Sequence, residues 1–417
     1  MIDLDLAEVA RERHAYAEAE GRYTRALELL PASDDRRRLL ALRGRADVRY
    51  RVGRAADSIA DFEAARKAAK RVGEVELELE LLLAQATAHD WGNDAPASAR
   101  LVGAAQALSD ATGVKPRSLR AGLLVGLGRT SFRAGRFAEA CALLEQGVDA
   151  SEQLGAAGYE PLVIALTLLE VVLPNLGRSA EAELVANRVV ALTRARGDQL
   201  HLASALNNRR NLLVARKDVE GAIADQRAFA EIGRQLGLEL AEYYAEFNIA
   251  ELNYQAGNLD AAASHAARAE SFEQTNPSVA PRPAAALLRA RLLAFQGLME
   301  DARAALAGVR NAVAKARAEN REAGLLAPSE EVLLAMVDLS TRPATSAEWD
   351  ALVALSARDS LEQEPVEVVE MRALTARRQG RQPEAQQAFA DALALASRVP
   401  NLLEARIRRG QSGALPN

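Results

Sequence analysis

The stretch GRFAEACALLEQGV (135–148) opens on a turn glycine, places an acid four residues on, and puts Ala140 five residues after the glycine. The same order returns in GRSAEAELVANRVV (177–190), GNLDAAASHAARAE (257–270), GLMEDARAALAGVR (297–310) and GRQPEAQQAFADAL (380–393). Weaker copies start at His14 (HAYAEAEGRYTRAL), Gly53 (GRAADSIADFEAA) and Lys217 (KDVEGAIADQRAF). The turns are mostly 39 to 42 residues apart, which is the signature of a repeat array. Two gaps, of 82 residues after Gly53 and 83 after Gly297, each hide one further copy.

The first hidden copy contains HDWGND (89–94), a histidine, two acids and an amide around a tryptophan. A turn near Asn93 keeps the period and puts Ser98 in the small-residue position. Asp94 then caps the next helix, Pro96 sits in its first turn, and Trp91 packs between repeats. The second hidden copy turns within STRPATSAEWDAL (340–352), with Ala347 expected in the small position. The ten small residues are Ala19, Ser58, Ser98, Ala140, Ala182, Ala222, Ala262, Ala302, Ala347 and Ala385. A large side chain at these sites would hold the two helices of a hairpin apart.

Each copy therefore reads as two antiparallel helices of roughly 16 residues, each about 24 Å long. Composition agrees with an all-α fold: 49% of residues are hydrophobic but only 4% aromatic, so the apolar content is mainly Ala, Leu and Val. Prolines 31, 161, 277, 281, 283, 365 and 400 cluster between copies, where helices should stop. NPSVAPRP (276–283) is the strongest break. The expected organisation is repeats one to seven over 1–275, a proline-rich joint at 276–283, and repeats eight to ten with a capping helix over 284–417.

Charge and cysteine usage exclude several classes. A net charge of −5 offers no overall attraction to nucleic acid or anionic membrane. The many arginines alternate with acids at helical spacing, as on a solvated helix face. Cys141 is the only cysteine, so one chain holds no disulfide framework; its small apolar neighbours suggest burial rather than reactivity. The N-terminus lacks the basic region of a signal peptide, and PLVIALTLLEVVLP (161–174) is too short to span a bilayer. A cytoplasmic location is expected.

The copies Ala19–Tyr23–Ala26 and Ala385–Phe389–Ala392 give the pattern a closer likeness. Small residue, aromatic and second alanine at this spacing resemble the tetratricopeptide repeat, over essentially the whole chain. The resemblance implies a right-handed α-solenoid of about ten helix pairs. The long period is similar to the variant in bacterial signalling ATPases of the maltose-regulator type. HDWGNDAPASARLVGAAQAL (89–108) resembles a repeat in large bacterial serine/threonine kinases fused to an AAA-type ATPase. In those proteins the repeats act as sensor or docking arms, which implies either a stand-alone relative or the C-terminal part of a longer kinase or ATPase.

No phosphate-binding loop, kinase element or paired-histidine metal motif occurs, so no enzyme signature, cofactor or metal is expected. The rival reading places an unrecognised active site at His89 and Asp90. The tripeptide RGD (196–198) reads as an inter-helix loop with Gly197 as C-cap.

In a stacked array of helix pairs the first helix of each pair lines the inner wall. Positions 13, 10, 9, 6, 3 and 2 residues before each turn point inward, giving Arg129 and Arg133, then Asn207, Asn208 and Asn211. They continue with Tyr244, Asn248, Glu251 and Tyr254, flanked by Phe247 and Gln255, and then Arg291. Asparagine inside a helix is unfavourable against alanine by a few tenths of a kcal/mol, roughly, so its recurrence needs a reason. An amide that donates and accepts at once suits an extended peptide backbone. The expected partner is a protein or peptide segment; a solvated wall without ligand, a small-molecule pocket, and self-association remain open. Arg209 and Arg210 stand where the repeat prefers smaller residues, and should snorkel or pair with acids such as Glu220 or Asp225.

Overall fold

The computed structural model describes residues 2–276, 282–321, 324–359, 364–398 and 401–413. Among them every regular element is helical. The pairs are α1 (Ile2–Glu12) with α2 (Tyr16–Leu29), α3 (Asp35–Arg51) with α4 (Ala55–Val72), and α5 (Val75–Trp91) with α6 (Ala95–Thr112). Next come α7 (Arg117–Arg133) with α8 (Phe137–Glu152), α9 (Tyr159–Val172) with α10 (Ser179–Arg196), and α11 (Gln199–Ala215) with α12 (Val219–Leu236). Then α13 (Ala241–Ala256) pairs with α14 (Leu259–Thr275), α15 (Ala284–Gln296) with α16 (Met299–Ala318), and α17 (Pro328–Thr341) with α18 (Ser346–Asp359). The last pair is α19 (Glu364–Arg378) with α20 (Gln382–Ala396), closed by α21 (Leu403–Gln411).

The expected turns hold the backbone in the left-handed region at His14, Gly53, Asn93, Gly135, Gly177, Lys217, Gly257, Gly297 and Gly380. Three of these are not glycine, which accounts for the weaker look of their copies. At Gly257 φ is +80°, the conformation that favours glycine, and the Arg409 guanidinium lies over the place a Cβ would take. Nine of the small residues take the fourth position of the second helix and are at most 3% exposed. At Ser58 the close approach also carries a bond, its hydroxyl donating to the Ala46 carbonyl at 2.9 Å.

The ninth copy departs from this register. Ala347 is exposed, and the fourth position of α18 is Trp349, fully buried in an apolar cluster. The turn before it contains no left-handed residue; Arg342 is extended (φ −135°). A capping box sets the start: the Thr345 N–H donates to Glu348 Oε2 at 2.8 Å and the Glu348 N–H to Thr345 Oγ1 at 3.3 Å. That Thr-x-x-Glu was visible in TSAE (345–348) and outranks the period as a boundary signal.

The helices form two compact units. The first comprises Met1–Arg209 with Ile232–Leu238, the second Arg210–Glu231 with Glu239–Asn417. This division differs from the expected one at 276–283: α14 and α15, on either side of the proline-rich stretch, both lie in the second unit. Pro277 and Pro281 of that stretch, and Pro400, lie outside the described residues. Gly155–Val172 is the one window among the described residues long and apolar enough to cross a membrane. Its helix α9 buries Val163, Ala165, Leu166 and Leu169 in the first unit.

Candidate functional site

The inward positions of consecutive repeats do converge, but not all on one place. In the second unit Asn211, Asn248, Glu251 and Arg291 line a single cavity of about 270 Å³, with Phe247 and Gln255. They come from α11, α13 and α15, and residues of α17, α19 and α21 complete the wall. Sequence reasoning missed the acids Glu364 and Glu367, which α19 adds.

Arg210, the residue out of place in its repeat, points into this cavity rather than to the expected acids. Its guanidinium donates to Asn248 Oδ1 and, at 3.0 Å, to Asn211 Oδ1. Burial pulls its pKa down while Glu251 pushes it up, and as a guanidinium it stays charged. Asn248 is held from its other side, its Nδ2 donating to Gln226 Oε1 at 2.9 Å. Asn211 and Asn248 thus have an internal reason: they position a half-buried cation. Arg209 turns the other way, to Asn187 Oδ1 at 3.1 Å.

Arg291 donates to Glu367 Oε1 at 2.9 Å and Oε2 at 2.6 Å, and to Glu251. Burial alone would raise Glu367, but Arg291 and Arg406 hold it below the usual carboxylate range. Tyr254 requires a correction. Its side chain is fully buried, its hydroxyl donates to Glu367 Oε1 at 2.7 Å, and Arg406 stacks 4.2 Å from its ring centroid. It supports the cavity wall from behind and offers no surface to a peptide. Two acceptors of cavity-lining residues remain unmatched among the described residues: Glu364 Oε2 and Gln255 Oε1 are buried without a hydrogen-bond partner there. Burial pushes the Glu364 carboxyl above its usual range.

The other expected residues lie elsewhere. Tyr244 is partly exposed beside Tyr243, with ring centroids 5.2 Å apart. Asn207 and Asn208 are half-buried on α11 within the first unit and do not line this cavity. Arg129 is 3% exposed and lines a separate cavity of about 360 Å³ in the first unit. Arg133 is exposed and donates from Nε to Asp90 Oδ1 at 3.0 Å.

HDWGND resolves into local structure. Asp94 accepts from the Ala97 N–H at 3.0 Å, capping α6, and also faces His89 Nδ1 at 3.3 Å. Trp91 packs edge-on against Tyr50 and His201 while staying 38% exposed. His89 and Asp90 are therefore each engaged by a structural partner. Gly197 is the left-handed C-cap of α10, as expected. Asp198 beside it is 3% exposed, not a loop-tip residue, and accepts from Arg51 Nη1 at 2.8 Å and from the Tyr159 hydroxyl at 3.0 Å. Glu160, Asp198 and His201 bring ligand-capable atoms within 4.8 Å of one another, a set suited to a metal by geometry. Arg51 already places a positive charge there by donating to both Asp198 and Glu160. Residues 51, 160 and 201 come from three different repeats, so no local motif could have announced the cluster.

No protein-family model and no curated protein matches the sequence. Among the solved structures that resemble the fold are the following three. A Rap protein complexed with competence and sporulation factor has a TM-score of 0.52 at 11% identity, covering 97% of this chain and 99% of that one. NprR in complex with its cognate peptide NprX has 0.50 at 13%, covering 84% and 99%. The STAND protein PH0952 from Pyrococcus horikoshii, described as having a tetratricopeptide repeat sensor, has 0.52 at 14% identity. The chain covers 54% of PH0952, about half its length, with 91% of its own. At these identities the likeness establishes a tetratricopeptide-type helical repeat fold.

Proposed function

We propose that the chain is a non-catalytic scaffold that binds a peptide or protein segment, as the sensor arm of a cytoplasmic bacterial signalling system. The observation that carries this reading is the second unit's cavity, where side chains of successive repeats meet around unmatched acceptors. At about 270 Å³ it fits one or two residues rather than a whole ligand, as expected of an anchoring pocket on a longer contact surface. Glu364 Oε2 and Gln255 Oε1 call for hydrogen-bond donors, which a peptide amide or a basic side chain supplies. Asn211, Asn248, Glu251 and Arg291 are the proposed contacts, joined by Arg210, Gln255 and Glu364; Tyr244 of the same unit would extend the surface. That NprR is solved with a peptide and that the PH0952 repeats are described as a sensor support the same role.

A second reading keeps the binding role but makes the chain the arm of a longer kinase or ATPase. The PH0952 match, of which the chain covers about half, favours it.

Selection of a randomised peptide library on the immobilised chain, followed by calorimetry, tests the proposal. Gln255→Ala should weaken an enriched peptide roughly threefold to tenfold, for a bond worth about 0.5–1.5 kcal/mol. Glu364→Gln should weaken peptides carrying a basic residue. Failure to enrich any peptide, or affinities indifferent to both substitutions, would refute the assignment.

A further inference from the structure

The first unit contains a buried charge that the protein itself leaves unanswered. Of the four arginines lining its cavity, Arg11 pairs with Glu8 and Asp47, Arg43 with Glu80, and Arg51 with Asp198 and Glu160. Arg129, at 3% exposure, has no ion pair among the described residues. Its one hydrogen bond runs from Nη1 to Thr87 Oγ1 at 3.1 Å, and Nε is buried without a partner. Asp90, the carboxylate that acts on it most strongly, is engaged by Arg133. A guanidinium carries five N–H donors and does not neutralise itself by losing a proton, so burial without a counter-charge is costly.

We propose that this cavity binds a small monocarboxylic acid with an apolar body, and that Arg129 is its cationic anchor. Nη1 donates to Thr87, Nε is buried without a partner, and Nη2 makes no hydrogen bond among the described residues. A guanidinium carries paired donors that match the two oxygens of a planar carboxylate. The wall is mixed: Leu83, Val125, Leu154 and Ile164 give it an apolar part, which suits an aliphatic or aromatic body, while Asp47, Glu80 and Glu160 line it as carboxylates already paired with Arg11, Arg43 and Arg51. A phosphate dianion is disfavoured, since the other three arginines already have carboxylate partners. The cavity volume of about 360 Å³ falls in the range of small-ligand sites, roughly 300–1,000 Å³. This site is separate from the cavity of the second unit and does not depend on the peptide reading.

The test uses the full chain with 4-methylpentanoate, its carboxamide, N-acetyl-glycyl-leucine and inorganic phosphate, followed by calorimetry and thermal shift. The acid should bind, and its carboxamide should bind at least about tenfold more weakly, as loss of a charge-assisted pair predicts. Phosphate should not displace the acid. Arg129→Met should lose acid binding while melting above the wild type without ligand, because an uncompensated charge is gone. A purely structural arginine would instead lower the melting temperature. Three outcomes would overturn the proposal: no acid binding to the wild type, equal binding of acid and carboxamide, or tighter binding of N-acetyl-glycyl-leucine. The wild-type comparison stands even if Arg129→Met does not fold.

Discussion

Asp198→Asn removes one charge from the centre of the first unit while keeping the side chain's volume. Asp198 accepts from Arg51 Nη1 at 2.8 Å and from the Tyr159 hydroxyl at 3.0 Å, and shares a hydrogen bond with His201 Nδ1 at 2.8 Å. Arg51 retains Glu160, so its charge is not stranded, and the loss should stay below the roughly 3–5 kcal/mol of a fully broken buried pair. The three charge-assisted bonds weaken to neutral ones or disappear, for a net cost of about 2–3 kcal/mol. Trp91 is a suitable reporter, since its ring lies 5.9 Å from that of His201. In a Trp349→Phe background, urea titration of its fluorescence should show a midpoint lowered by about 1–1.5 M, for a slope of roughly 2 kcal/mol per M. Burial opposes ionisation of Asp198, but His201 and Arg51 outweigh it and hold the carboxyl well below its ordinary value of 3.8. The unfolded chain therefore takes up this proton first as the pH drops, so the stabilisation is full above about pH 4 and fades below it. The gap between parent and variant should narrow accordingly. A midpoint shift under about 0.3 M at neutral pH, or a gap unchanged down to about pH 3, would refute the reasoning.

Three further substitutions probe the register and the second cavity. Ala262→Leu, at a fully buried contact between α13 and α14, should overpack the hairpin and lower stability by about 1–3 kcal/mol, read by thermal melting. In the ninth copy Trp349→Ala should be destabilising by about 3–5 kcal/mol, whereas Ala347→Leu should change little, about 0.5 kcal/mol at most. Comparable effects of the two would show that the capping box does not set that helix. Asn248→Ala should reduce stability by about 1–3 kcal/mol because it deprives the half-buried Arg210 of an acceptor. A melting temperature held or raised, as helix propensity alone would have it, would mean that the amide serves only a ligand.

The repeat, its turns and nine of its ten small positions were legible in the chain alone. They depend on local rules: a left-handed residue closes a helix, and a small one admits its neighbour. Even the exception at Trp349 was written locally, in TSAE (345–348), though the period spoke louder. Which residues face inward was legible only in part, because a helical position fixes a direction and not a partner. Asn211, Asn248, Glu251 and Arg291 do meet at one cavity, yet Tyr254 on the same face is sealed beneath it by Glu367 and Arg406. Those partners lie 113 and 152 residues further along. The join of Arg51, Glu160, Asp198 and His201 and the solitary charge of Arg129 belong to the same class. Ion pairing and burial depend on which repeats stack, so packing decided them, whereas helix periodicity decided the fold.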